Sequence, residues 1–250
     1  MAIQAEYKTV VDEVTRRCSD YFADRLQSIY VTGSIINNEA IINESDLDYW
    51  GFIADDVTND DKAWLLETEK DIADKFQILN GVHINIKSFE YLKKDKFCRF
   101  MLKYNSLRYK GHDLISEIES QGTEAYLPDK TIAKYRLKFA KKCLEDALKN
   151  KCPQCLEEIP KNTYFAARKF ARYFVLVEGV YFLMAKGKFE SYKQELVLKQ
   201  LRENSTGFES ILDLTLRILK NPEEANVTHR DFIQSVYPFT KWMFNEIERA

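Results

Sequence analysis

Asp46 and Asp48 stand two residues apart in Ser45-Asp46-Leu47-Asp48-Tyr49-Trp50, where polar and apolar residues alternate. On a strand, residues i and i+2 share a face, so both carboxylates point one way while Leu47 and Tyr49 point the other. Two acids on one face offer hard oxygen donors to a divalent cation. Mg2+ suits them best, because it usually binds through one or two carboxylates together with the phosphates of a substrate. Upstream, the apolar run Ile29-Tyr30-Val31-Thr32 ends on Gly33-Ser34, and eleven residues separate Ser34 from Asp46. A glycine there lets the backbone approach a phosphate closely, and Ser34 adds a hydroxyl donor. If a helix begins after it, the free N–H groups of its first turn favour the same anion. One corner then takes a triphosphate tail, and the acids take the metal that neutralises it.

The acid pair alone is thin evidence. Asp-x-Asp arises by chance, and Asn43-Glu44-Ser45-Asp46 also reads as a turn whose short polar side chains satisfy backbone groups. What favours chemistry is the combination: Gly-Ser closes one apolar run and the acids open the next.

These residues need a frame, and hydrophobic periodicity supplies one. Val10, Val11, Val14, Cys18, Tyr21 and Phe22 recur at helical spacing within residues 5–24, which predicts an amphipathic helix packed on a sheet. Strands are expected at 28–32 and 46–53, joined through a helical turn that begins at Ile35. The Asp-rich stretch 55–61 lacks the glycine and closing glutamate of a calcium loop and leads into a helix running from Ala63 to Leu79. In Val82-His83-Ile84-Asn85-Ile86-Lys87-Ser88-Phe89 the alternation is clean, giving a half-buried strand with His83, Asn85 and Lys87 on its polar face. A further helix starts at Phe97, and the segment 105–114 after it resembles one in which a helix leads to a glycine, here Gly111, and then an acid–hydrophobe pair, here Asp113-Leu114. Residues 121–128 form the expected boundary. Beyond it, helices are expected at 129–150, 161–187, 189–203, 207–220 and 228–248, separated by Pro160, Gly187, Gly207 and Asn221-Pro222, and such helices pack as an antiparallel bundle.

Gly33-Ser34 followed by Ser45-Asp46-Leu47-Asp48, flanked by apolar residues, resembles the signature of the DNA polymerase β-like nucleotidyltransferase superfamily. The layout is most similar to the small bacterial aminoglycoside and lincosamide nucleotidyltransferases. The resemblance implies an α+β protein: a nucleotidyltransferase domain over residues 1–122, with a mixed β-sheet and flanking helices, and a C-terminal α-helical bundle over 128–250. It implies that Gly33 and Ser34 bind nucleotide phosphates and that Asp46 and Asp48 are the catalytic residues that hold Mg2+. The expected reaction moves a nucleoside monophosphate, AMP from ATP first, onto a hydroxyl of a small-molecule acceptor such as an aminoglycoside-type antibiotic. In such relatives the helix beginning near Asn162 contributes groups that hold substrate or nucleotide. Arg168, which shares a face with Tyr164 and Arg172, is the candidate for triphosphate, because a guanidinium suits bidentate phosphate contact. Salt bridging on the surface is the other reading of that face.

One position departs from the pattern. The family places a third carboxylate on the strand after the acid pair, and the candidates here are His83 and Asn85, neither an acid. Glu90 beyond the strand, or His83 as a neutral base, would have to substitute. The rival reading is a catalytically weak or inactive member of the fold that binds nucleotide or a partner in a regulatory or antitoxin-like role.

Composition limits the alternatives. The chain has 250 residues, 45% of them hydrophobic and 13% aromatic, enough for a sizeable core. Its 37 basic and 39 acidic residues leave a formal charge of −2, so no global field gathers nucleic acid. No signal peptide and no apolar run long enough to cross a bilayer is visible, which points to a cytoplasmic protein without a membrane partner. Five scattered cysteines suggest reduced thiols. Cys152-Pro-Gln-Cys155 has a spacing found in zinc and redox motifs, but no second pair follows it.

Overall fold

The computed structural model describes residues 2–156 and 159–250, and the chain divides into two compact units, Met1–Tyr126 and Leu127–Ala250. The architecture is α+β.

The first unit is built on a four-stranded mixed sheet in the order β3-β2-β1-β4. Its strands are β1 (Leu26–Thr32), β2 (Asp46–Ile53), β3 (Gly81–Ser88) and β4 (Ser106–Gly111). β1 pairs antiparallel with β2 and with β4, and β2 pairs parallel with β3. Alternation along the strands decides which face is which. Ile29, Val31, Leu47, Tyr49, Ile53, Val82, Ile84 and Ile86 turn to one side and are buried against α1 (Lys8–Phe22) and α3 (Asn59–Lys75), which contribute Val10, Val14, Phe22, Leu65 and Ile72. On the opposite side, Tyr30 and Phe52 are covered by Leu92 of α4 (Phe89–Lys94), Cys98 and Leu102 of α5 (Lys96–Asn105), and Leu114, Ile115 and Ile118 of α6 (Leu114–Ser120). Asp46, Asp48 and His83 belong to this second face, at the opposite end of the strands from Phe52, and are half-buried.

Local chemistry fixes the ends of these elements. α3 opens with a reciprocal cap: Thr58 Oγ1 accepts the Asp61 N–H at 3.1 Å, and the Asp61 carboxylate accepts the Thr58 N–H at 2.8 Å. Asp61 also receives two bonds from Arg25, at 3.0 and 2.8 Å, tying α3 to the start of β1. β3 forms one edge of the sheet, and the Glu69 carboxylate on α3 accepts the Ile84 N–H at 2.5 Å, occupying a donor of that edge.

Among the described residues the second unit contains helices and connections only. α7 (Lys130–Leu148), α8 (Thr163–Ala171), α9 (Glu178–Ala185) and α13 (His229–Arg249) pack on one another. α10 (Gln194–Asn204), α11 (Glu209–Lys220) and the short α12 (Pro222–Ala225) complete the unit. α8 and α9 are joined through a π-helical stretch, Arg172–Val177, the kind of local widening often found at functional positions. None of the described helices is long and apolar enough to cross a membrane.

Two expectations need correction. Residues 106–111 form strand β4 rather than the end of a helix, because Leu107 and Tyr109 alternate with Arg108 and Lys110 and so match the pleat of β1. Residues 189–193 lie outside helix, and α10 begins only at Gln194.

Candidate functional site

Strand register assembles the site. Thr32, the last residue of β1, pairs with Asp48, so Gly33 is set down beside the Asp48 side chain. Gly33 has φ +80, where L side chains are strained, and a Cβ built on it would lie 2.8 Å from Asp48 Oδ2. Only glycine leaves that carboxylate its present position. The chain then makes a single turn, α2 (Ser34–Asn37), whose Asn37 side chain bonds back to the Gly33 carbonyl at 3.1 Å. Ser34 is 4% exposed and Gly33 half-buried, so the serine is largely enclosed within the corner while the glycine borders the acid.

Asp46 opens β2, immediately after a polar turn in which Ser45 Oγ accepts the Ile41 N–H at 2.9 Å. The turn and the acid pair are therefore successive features of the chain. Parallel pairing sets Asp46 beside Gly81 and Asp48 beside His83. Above Gly81, Asp46 Oδ1 and His83 Nε2 lie 3.3 and 3.7 Å from the point a Cβ would take, so the acid and the imidazole converge over one glycine. Asn80, which the sequence reading did not single out, donates to Asp46 Oδ1 at 3.2 Å. The Asn80 N–H bonds to the Ser45 carbonyl at 3.1 Å, holding the starts of β2 and β3 together.

The register also separates the two candidates for the missing third acid. His83 pairs with Asp48, whereas Asn85 pairs with Trp50, one step along the same face. Glu90 lies in α4, seven residues beyond His83 and past the far end of β3, and pairs with Lys93 at 2.8 Å. It stands roughly 20 Å along the strand direction from the acids, which rules it out as their substitute.

The donor chemistry fits Mg2+ in a limited way. Asp46 and Asp48 supply the one or two carboxylates that this ion usually takes from protein, and Gly33 leaves the Asp48 carboxylate unobstructed. Among the described residues no group of three or more His, Cys, Asp or Glu residues forms a metal cage. A cation held here would draw its remaining ligands from substrate and water.

Arg168 lies in the second unit, on α8. Its Nε donates to the Leu219 carbonyl at 3.0 Å, near the C-terminus of α11. Burial, with Arg172 nearby, lowers its pKa to about 10, and Arg172 itself is exposed. Arg168 is thus anchored at a helix end, where a cation complements the last carbonyls.

Two grooves of the first unit lie away from the acids. One, of about 510 Å³, runs between α1 and α3 beside the stacked Tyr21 and Trp64 rings. The other, of about 400 Å³, follows the β3 edge from Ile84 to Ser88.

No family model matches the chain, and no curated protein matches it in sequence. Solved structures do match, and what they share with it is the fold. One of them is spectinomycin adenyltransferase AAD(9) from Enterococcus faecialis, crystallised with ATP and spectinomycin. It superimposes with a TM-score of 0.57 over 96% of this chain and 98% of its own, at 14% sequence identity.

Proposed function

We propose that the protein is a Mg2+-dependent nucleotidyltransferase that moves AMP from ATP to a hydroxyl of a small-molecule acceptor, with an aminoglycoside-type antibiotic as the first acceptor to try. The observation that carries this reading is the juxtaposition of Gly33 with the Asp48 carboxylate, beside Asp46 on the same strand face. It is supported by a fold shared with an adenyltransferase crystallised with ATP and spectinomycin.

In this reading Asp46 and Asp48 hold the metal, and Asn80 orients the Asp46 carboxylate through its 3.2 Å bond. Bound Mg2+ would neutralise the phosphates and the charge that develops during in-line displacement at the α-phosphorus. Gly33 admits the triphosphate beside Asp48, Ser34 shapes that corner, and Arg168 is assigned to nucleotide affinity. His83, which pairs with Asp48, is assigned the role of receiving the proton of the acceptor hydroxyl.

The second reading is a catalytically weak or inactive, nucleotide- or partner-binding member of the fold. It is favoured by the same residue, an imidazole where the resemblance calls for a carboxylate. Incubation with α-labelled ATP, Mg2+ and a pool of spectinomycin, aminoglycosides, RNA and proteins separates the two. Label transfer that Asp48→Asn abolishes supports the enzyme. Tight ATP binding without transfer to any member of the pool supports the second reading.

A further inference from the structure

β3 is an edge strand, and one of its outward groups is already met from outside the sheet: the Ile84 N–H donates to the Glu69 carboxylate of α3 at 2.5 Å. That bond shows which way the strand's backbone faces. Successive residues of a strand direct their N–H and C=O groups to opposite sides, so Ile84, Ile86 and Ser88 turn theirs away from β2. Among the described residues, no hydrogen bond outside the ladders reaches the Ile86 N–H or carbonyl. The groove of about 400 Å³ follows the same stretch, from Ile84 to Ser88. An open row of backbone groups is a template for another strand.

The helix beside this edge carries a matching pattern of charge. Lys62, Leu65 and Glu69 are spaced i, i+3 and i+7, so they share one face of α3. Lys62 and Leu65 line the groove, and Glu69 reaches Ile84. Because α3 connects the parallel neighbours β2 and β3, it runs against them, so Lys62, about 10 Å along the helix from Glu69, lies towards Ser88. At that end the lining also carries Lys87 and Asp56, which leaves it net positive. Lys62 and Glu69 form no ion pair among the described residues: Lys62 Nζ bonds the Asn59 side-chain oxygen at 3.4 Å, and Glu69 holds the Ile84 amide. The edge is therefore positive at one end and negative at the other, with Ile86 and Leu65 between.

We propose that β3 is a dimerisation strand whose occupant is a second copy of this chain, paired antiparallel about a two-fold axis at Ile86. Ile86 exchanges both of its backbone bonds with Ile86 of the second copy, and each Ser88 N–H meets the Ile84 carbonyl opposite. The axis reverses the groove, so Lys62 of each copy faces Glu69 of the other while the Leu65 side chains meet near the axis. Both copies use the same patch, as a two-fold interface requires, and the two four-stranded sheets become one.

The test follows the full chain, 29.4 kDa, by sedimentation velocity across the micromolar range. The parent should sediment as a dimer. Lys62→Glu and Glu69→Lys should each weaken association about 10-fold or more, because each turns two symmetry-related attractions into repulsions. Mixing the two variants should restore the dimer, since one then presents two acids, the other two lysines, and every pair across the axis is opposite in sign. Amide hydrogen exchange over Gly81–Ser88 should slow as the parent's concentration rises. Lys62→Glu, on an exposed side chain, keeps the test valid should Glu69→Lys fail to fold. A dimer that the reversals leave intact overturns the proposal. So does a parent that stays monomeric throughout, which would leave the edge to a strand of another protein.

Discussion

Gly33 and Asp48 touch across the β1–β2 ladder so closely that a Cβ on Gly33 would sit 2.8 Å from Asp48 Oδ2. A methyl group there meets two obstacles: the carboxylate and the positive φ of +80. Gly33→Ala should lower stability by about 1–3 kcal/mol, visible in a thermal melt. In the proposed function it should weaken ATP binding by more than that loss of fold explains, because the displaced carboxylate no longer faces the corner. Calorimetric titration with ATP and Mg2+ at a temperature where the variant remains folded checks this.

Asn80 acts on Asp46 through a single hydrogen bond. Asn80→Ala should reduce Mg2+-dependent transfer roughly 10-fold and leave the melting temperature within a few degrees of the parent. Asp46→Asn should cost considerably more, since it removes a proposed metal ligand rather than its support. Initial rates against Mg2+ concentration for the two variants give the comparison.

His83, rather than Asn85, is the neighbour of Asp48 in the β2–β3 register. Restoring an acid by His83→Glu should therefore raise the Mg2+-dependent transfer rate, while Asn85→Asp should leave it unchanged. The reverse order of effects would mean that the third strand pairs one step away from the register described.

Arg25 foremost, with the Thr58 N–H and hydroxyl, holds the Asp61 carboxyl well below the usual carboxylate range. For an acid with a depressed folded pKa, the stabilisation is fully present above its unfolded value near 4 and is lost as pH falls towards the folded one. Asp61→Asn should cost about 2–3 kcal/mol at pH 7, and the difference from the parent should shrink in melts recorded below pH 4.

Glu178 behaves oppositely. Burial raises its pKa to about 7, against the pull of the Arg136 charge. The unfolded chain ionises this acid above about pH 4, so its contribution falls as pH rises from there to about 7. Glu178→Gln should gain roughly 2 kcal/mol relative to the parent between pH 5 and pH 8. Denaturant melts at the two pH values measure it.

Much of the frame can be read in the residues. Strand β2 spans Asp46–Ile53, as the alternation predicts, and β3 is displaced by one residue from the expected run. These segments are legible because one face of each is apolar over several alternations. β4 was not, since Ser106–Gly111 carries only Leu107 and Tyr109 and takes its conformation from pairing with β1. The close approach of Gly33 to Asp48 depends on cross-strand register, which no local spacing encodes. The same holds for the pairing of His83 with Asp48, set by how separate segments are brought together.

In the proposed function Asp46 and Asp48 jointly hold the metal of a bound nucleotide. Its most direct test is Mn2+ binding, followed by electron paramagnetic resonance with and without ATP, in the parent chain and in Asp48→Asn. The expected result is weak Mn2+ binding by the parent alone, marked tightening when ATP is added, and loss of that tightening in Asp48→Asn at unchanged circular dichroism. Equal ATP-dependent Mn2+ binding by parent and variant would contradict it.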